Sequence, residues 1–161
     1  MLNHSLIDTV LGQLTVVTDG DSLVGVYFPD HKHPPKDIGE WVAEHPVLLR
    51  AEQELDEYLA GERKEFSVPV TAEGSDFSEQ VWALLREIPY GDTVTYGDLA
   101  RKLGNVHFAQ QVGQSVGRNP VSIIIPCHRV VGAGGALTGY AGGVERKRAL
   151  LDLESAQRPL L

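Results

Sequence analysis

Residues 95–117, TYGDLARKLGNVHFAQQVGQSVG, hold two short helical patterns on either side of Gly104. Thr95 and Asp98 make a capping box, each side chain placed to take the other's free backbone N–H, and open a helix through Leu103 that stops at Gly104. After a brief turn, a second helix over about His107–Val116 carries Phe108, Val112 and Val116 on one stripe. Two short helices joined by a tight glycine turn form the helix-turn-helix pattern, which commonly lays its second helix on DNA. The same pattern also serves as a plain packing unit, and spacing alone leaves both readings open. Gly113, Ser115 and Gly117 weaken the second helix but let a partner's backbone come close.

Outward from this pair, Asp76 and Glu79 cap an earlier helix on which Phe77, Val81, Leu84, Leu85 and Ile88 recur at helical spacing, closed by Pro89 and Gly91. On the other side, Val121-Ser-Ile-Ile-Ile125 is a short apolar run that reads as a buried strand. It ends in Pro126-Cys127-His128-Arg129, followed by a glycine-rich loop over 132–143 and a last helix over about Val144–Ser155. The loop has no GxGxxG register and no Lys-Ser/Thr after a glycine, which rejects a nucleotide site.

The first part of the chain has another character. Leu14–Thr18 and Ser22–Phe28 flank Asp19-Gly20-Asp21, a good hairpin turn because glycine accepts positive φ. A helix from about Pro46 to Ala60 keeps Leu48, Leu55 and Leu59 on one stripe and stops at Gly61, and Phe66–Val70 reads as a further strand. Residues 29–37, PDHKHPPKD, form a polar, proline-rich loop whose His31 and His33 lack further ligands nearby and read as solvated rather than metal-binding. Thr71–Ser75 is the linker. The expected fold is an α/β N-terminal domain over 1–72, a small antiparallel sheet plus a helix. A mainly helical, winged-helix-like domain with the helix-turn-helix follows over 76–161.

The 161 residues suffice for a self-supporting core. The single cysteine excludes an internal disulfide and a cysteine-rich zinc cage. No run reaches the roughly 20 apolar residues that span a bilayer, and the start, MLNHSLIDTV, shows no signal-peptide pattern. The expectation is a cytoplasmic chain without membrane contact. The net charge of −8 is unevenly shared: residues 1–75 carry 5 Lys+Arg against 14 Asp+Glu, whereas 86–148 carry 8 against 4. An anionic partner would therefore dock on the second unit, unless the asymmetry is ordinary variation in surface charge.

Cys127 sits where an apolar run meets a polar loop, with His128 beside it. A thiol reacts as thiolate, and an imidazole within reach supplies the base; a lone cysteine is also commonly a buried structural residue. Neighbouring side chains on extended backbone point opposite ways, so a bridging water or a sharp turn fits better than direct contact. Glu154 follows Leu150 and Leu151 at helical spacing and so faces the apolar side. A carboxylate there needs a partner, and His128 is the natural one, its tautomer fixed by the acid; the other reading leaves Glu154 in water at a frayed helix end. Cys127, a water, His128 and Glu154 together form a candidate relay beside the helix pair. Such a thiol would sense redox state or accept an electrophile.

Ile125-Pro126-Cys127-His128-Arg129-Val130 resembles the active-site signature of the O6-alkylguanine-DNA alkyltransferases. FSEQVWALLREIPYGDTVTYGDLARKLG (77–104), GRNPVSIIIPCHRVVGAGG (117–135) and LTGYAGGVERKRALLDLE (137–154) are similar to that family in order and spacing, so the likeness covers 76–155. The N-terminal part matches the family's variable α/β domain in outline. The resemblance implies a single-turnover methylated-DNA–protein-cysteine S-methyltransferase, without metal or cofactor, acting as a monomer whose cooperativity on DNA is left open. Its partner would be double-stranded DNA carrying O6-alkylguanine, with O4-alkylthymine undecided, bound through the minor groove with the lesion flipped out. Cys127 would take the alkyl group, with His128 and Glu154 as relay. Tyr96 would turn the 3′ phosphate and protonate N3, and Asn119 would tie the helix pair to the cysteine. Thr95, Tyr96, Gln110, Gln114, Ser115 and Arg118 would meet DNA, and Val130, Tyr140, Ala141, Gly142 and Lys147 would form the pocket.

Two positions depart from the pattern. The family's recognition helix usually carries an inserting arginine in Ala-Arg-Ala-Val-Gly, where this chain reads Ala109-Gln110-Gln111-Val112-Gly113. Gln110 can bond an orphaned base but brings no charge. Ala141 replaces a serine seen in some members, leaving only backbone donors at O6. The alternative function is a non-repairing module that recognises alkylated DNA, although members of that kind lack the cysteine. A thiol-based transcriptional sensor would need a partner domain or dimer interface that the sequence does not display.

Overall fold

The computed structural model describes residues 1–156; residues 157–161, assigned from sequence to the second domain, lie outside the described residues. Strands β1 (Leu2–Thr9), β2 (Gly12–Asp19) and β3 (Ser22–Tyr27) form an antiparallel sheet in the order β3-β2-β1, to which the short β4 (Glu40–Trp41) adds in parallel beside β1. The expected hairpin is β2–β3, turning at Gly20 with φ 62°. β1 carries no strand signal in the sequence because only Ile7 of it is buried, so the alternation of a half-buried strand is missing.

Helix α1 (Pro46–Leu59) covers the sheet, with Leu48, Ala51, Leu55, Tyr58 and Leu59 buried. Proline at its first position suits a helix start, and the His45 ring caps the amide of Val47 at 3.2 Å. Phe66–Val70 is not a strand. Val70 alone bridges to Leu23, while Ser67 and Val68 give their amides to the buried Glu54 carboxylate at 2.9 and 3.1 Å. A side chain thus takes the hydrogen bonds that a sheet neighbour would have supplied.

Helix α2 (Asp76–Arg86) is capped by Ser75 rather than Asp76: the Ser75 hydroxyl accepts from Ser78 N at 3.1 Å and Glu79 takes the Gly74 amide. β5 (Val94–Thr95) leads into α3 (Tyr96–Lys102), where the Thr95–Asp98 capping box is formed at both bonds. Gly104, at φ 103°, makes the turn, and a single 3₁₀ turn precedes α4 (Ala109–Gly117). These helices pack on Val81, Trp82, Leu85, Leu99, Ala100, Val112 and Val116. β6 (Val130–Val131) pairs in parallel with β5, which sets the start of the helix pair beside the residues that follow Cys127. The last helix, α5 (Val144–Ala156), buries Leu150 and Leu153.

The apolar run 121–125 is buried but is not a strand. Only Val121 bridges, to Val26, and the chain then turns on itself with Ile123 at φ 71°. A β-branched residue at positive φ is strained, and burial without periodicity could not distinguish this compact turn from a strand. Backbone bonds between Val26 and both Pro120 and Ser122 join β3 to this turn, and one apolar core runs through both halves. Among the described residues no helix is long and apolar enough to cross a membrane.

Replacing Glu54 by alanine leaves the Ser67 and Val68 amides unpaired. We expect a loss of about 2–4 kcal/mol, read as a lower urea midpoint at unchanged slope. A loss under about 1 kcal/mol would mean that the bridge to β3 alone holds the 66–70 segment.

Candidate active site

Cys127–Arg129 is a one-turn 3₁₀ helix that points three consecutive side chains into the protein, with Cys127 3%, His128 0% and Arg129 7% exposed. Glu154, 2% exposed, faces them from α5 and is not at a frayed end in water. Its Oε2 accepts from His128 Nε2 at 2.8 Å and from an Arg129 terminal nitrogen at 2.9 Å, and its Oε1 accepts from Arg129 Nε at 2.8 Å. The Tyr58 hydroxyl, from α1, donates to the same Oε2. Arg129 also donates to the Ile88 carbonyl at 2.7 Å. Because Glu154 holds Nε2–H, Nδ1 is the basic nitrogen of His128; it is buried and has no hydrogen-bond partner among the described residues. Cys127 and His128 are therefore not in direct hydrogen-bond contact.

Burial sets the charge states. It pushes the Cys127 thiol up, against the opposing pull of the Asn119 amide, the Lys147 ammonium and the Tyr140 hydroxyl. It pushes His128 down, although Glu154 pulls the other way. The resting pair is a neutral thiol and a neutral imidazole. Burial would raise Glu154 too, but the hydrogen bonds and charges of His128 and Arg129 win and hold it at about 2. Burial likewise lowers Lys147, whose Nζ lies 3.5 Å from the Thr138 hydroxyl.

Asn119 pins the strained turn. Its amide nitrogen donates to the Ile125 carbonyl at 2.8 Å and its oxygen accepts from Val121 N at 3.0 Å, so the end of α4 and the approach to Cys127 are one hydrogen-bonded unit. Beside it opens a cavity of about 440 Å³ lined by Tyr96, Gln114, Arg118, Tyr140 and Ala141, together with Lys32 and His33 of the N-terminal loop. The Tyr96 and Thr138 hydroxyls are 2.7 Å apart. Val130 and Gly142 are buried, and Gly142 lies so close to the Phe28 ring that a Cβ there would overlap it. Thr95 spends its hydroxyl on the α3 cap, and Gln110 is exposed on α4.

Three sequence expectations need correction or extension. Ser115 does not face outward: it is 5% exposed, its hydroxyl lies 2.8 Å from that of Ser78, and its carbonyl accepts from Trp82 Nε1, so it belongs to the α2–α4 interface. His31 is not solvated but buried, its ring against Tyr27 and Phe28, while His33 is exposed. Lys32 and His33 reach the cavity because the Lys32 amide donates to the Ala141 carbonyl at 3.1 Å, a tertiary contact without a local sequence signal. Among the described residues no group of three or more His, Cys, Asp or Glu side chains could hold a metal ion.

Residues 76–156 match the family model of the 6-O-methylguanine DNA methyltransferase DNA binding domain, and residues 2–72 that of the 6-O-methylguanine DNA methyltransferase ribonuclease-like domain. A methylated-DNA–protein-cysteine methyltransferase of Mycobacterium tuberculosis is 41% identical over 159 residues, 99% of this chain and 96% of its own. One of Methanosarcina acetivorans is 40% identical over 153 residues, 95% of this chain and 98% of its own. A crystal structure of Mycobacterium tuberculosis OGT in complex with DNA superposes with a TM-score of 0.89 at 40% identity, covering 98% of this chain and 96% of that one.

The Glu154 carboxyl, moved on folding from an ordinary 4.5 to about 2, contributes stability that is complete above pH 4.5 and lost as pH falls toward 2. Acid titration of stability should therefore be steeper between about pH 5 and 2 in the wild type than in Glu154→Gln. Parallel curves would show that the buried carboxylate is not ionised.

Proposed function

The chain belongs to the 6-O-methylguanine DNA methyltransferase family, and from that premise we propose that it repairs DNA by moving the alkyl group from O6 of an alkylated guanine onto its own Cys127. The observation that carries this reading is the buried Cys127 with the His128–Glu154 pair beside it, Cys127 lying within reach of the hydroxyl of Tyr140, which lines the cavity at the end of α4. The Cys127 sulfur attacks the alkyl carbon, so a carbon–sulfur bond forms as the carbon–O6 bond breaks. The thiol proton passes through a water to Nδ1 of His128, and Glu154 stabilises the imidazolium. The guanine leaves as an anion that Tyr96 protonates at N3. The thioether is stable, so each molecule acts once, and the lesion itself carries the transferred group, so no cofactor is called for.

Duplex DNA is bound through the minor groove by α4, with the damaged nucleotide flipped into the cavity. Thr95, Gln114 and Arg118 meet the backbone, Tyr96 turns the 3′ phosphate, and Gln110 stands where the flipped base was. Val130 and Cys127 offer backbone carbonyls to the guanine amino group, Tyr140 is a wall, and Ala141 and Gly142 bring their backbone near O6. Lys147 supports that loop, and Asn119 couples it to the helix pair. A division into a domain over 1–72 and one over 76–161 is supported by the two family-model matches, over 2–72 and 76–156. A cytoplasmic site of action follows from the need to keep the acceptor a thiol, and a monomer suffices for the chemistry.

Mixing the protein with duplex DNA holding one O6-methylguanine should put at most one methyl on Cys127 by peptide mass spectrometry and restore guanine in the DNA. Cys127→Ser should take up none. Lesion binding with an unmodified Cys127 would establish the non-repairing recognition module instead.

Gln110 brings no charge to the opened stack, so Gln110→Arg should speed repair of duplex but not of single-stranded substrate, by roughly 5- to 30-fold, about 1–2 kcal/mol. An unchanged duplex rate would remove the finger role from position 110.

A further inference from the structure

We propose that Tyr58, on the N-terminal helix α1, is a positioning residue of this relay, its hydroxyl setting how strongly Glu154 holds His128. The proposal rests on the alkyl-transfer reading and deepens it. Tyr58 is fully buried, and its hydroxyl makes one hydrogen bond among the described residues, to Glu154 Oε2, 96 positions along the chain. The ring is fixed edge-on to Tyr90, with centroids 6.1 Å apart at 84°, and lies 5.3 Å from Phe66, so the hydroxyl is delivered to one place.

Oε2 is shared by three donors: Tyr58, His128 Nε2 and an Arg129 nitrogen. Each donor stabilises the carboxylate charge and so lowers the basicity that this oxygen offers the other two. The titratable and charged groups that act on Tyr58, His128 or Glu154 come from every element packed here: His128 and Arg129 from the 127–129 turn, Tyr90 from the segment after α2, Tyr140 from the glycine-rich loop, Lys147 and Glu154 from α5, and Tyr58 from α1. Arg129 and Lys147 act on His128 as cations, whereas Tyr58 remains neutral, since burial and the Glu154 charge hold its hydroxyl protonated well beyond the ordinary range. It can therefore adjust the Glu154–His128 bond without adding charge to the site.

Removing that donor makes Oε2 more basic, strengthens its hold on His128 and favours imidazolium, which cannot accept the thiol proton. Tyr58→Phe keeps the ring and removes only the hydroxyl. The test follows the His128 ring by NMR titration in the full-length chain and, in parallel, the pH profile of methyl transfer from the O6-methylguanine duplex. Tyr58→Phe should move the His128 midpoint and the acidic limb of the rate up together by about half a pH unit, a roughly threefold loss of rate on that limb. Site-specific 3-fluorotyrosine at position 58, nearly the same size but a stronger donor, should move both the other way, and it decides the matter if Tyr58→Phe does not fold. A residue that merely packs would change stability and leave both midpoints in place, which overturns the proposal. A wild-type chain that takes up no methyl at any pH would instead sink the alkyl-transfer reading, whereas unmoved midpoints in a chain that does transfer methyl sink only the role of Tyr58.

Discussion

A carboxylate with 2% of its residue surface exposed cannot stay ionised unless donors replace the water it has lost. Glu154 obtains four, one from Tyr58, one from His128 and two from Arg129. Meeting that demand ties the N-terminal helix α1, the Cys127–Arg129 turn and the last helix to a single point. Arg129 extends the tie to the Ile88 carbonyl and lies over the Tyr90 ring, at 5.7 Å from its centroid. Apolar residues of equal volume could fill such a site at no loss of stability. What they could not supply is a histidine with a fixed tautomer and a free basic nitrogen.

The same burial keeps the thiol quiet. With Cys127 pushed up and His128 pushed down, the resting pair is uncharged, and a neutral thiol 3% exposed is a poor target for stray electrophiles and oxidants. On the alkyl-transfer reading this matters more than it would for a turnover enzyme, since an acceptor spent on the wrong molecule is not regenerated. Reactivity must then come from placing the alkyl carbon in line with sulfur while a base stands ready, which is proximity and orientation rather than a permanently activated nucleophile.

What could be read from the sequence was local. The Thr95–Asp98 cap, the stop at Gly104 and the apolar stripe of α4 involve residues within a few positions of each other, and the structure forms them. The inward face of Glu154 was legible because helical spacing alone specifies it. Strand β1 was not, since a strand with one buried side chain leaves no period. The 121–125 turn was not, because Asn119 shapes it and hydrophobicity records only that it is buried. Ser115 looks like a small polar residue on a recognition helix and turns out to bond across to Ser78, a choice between two faces that only packing makes. Tyr58 and Lys32 reach the site from the other half of the chain, and no spacing rule connects residues so far apart.

The charge asymmetry gains a meaning once placed on the fold. The acidic N-terminal half would repel a phosphate backbone, yet Lys32, one of its few cations, stands at the cavity beside Arg118. Besides the Lys32–Ala141 backbone bond, Arg146 donates to the Leu11, Pro29 and Gly142 carbonyls at 2.7, 3.4 and 2.9 Å and so clamps the N-terminal turns to the pocket loop. Its guanidinium also covers Phe28, the ring on which Gly142 rests. The exposed face of α4 is by contrast mostly neutral, with Gln110, Gln111 and Gln114 preceding Arg118. Phosphate contacts contribute most of the sequence-independent affinity for DNA. On the reading proposed above, a helix of glutamines would bring little of that charge itself, and Lys32 and Arg118 are the full cations lining the cavity that α4 borders.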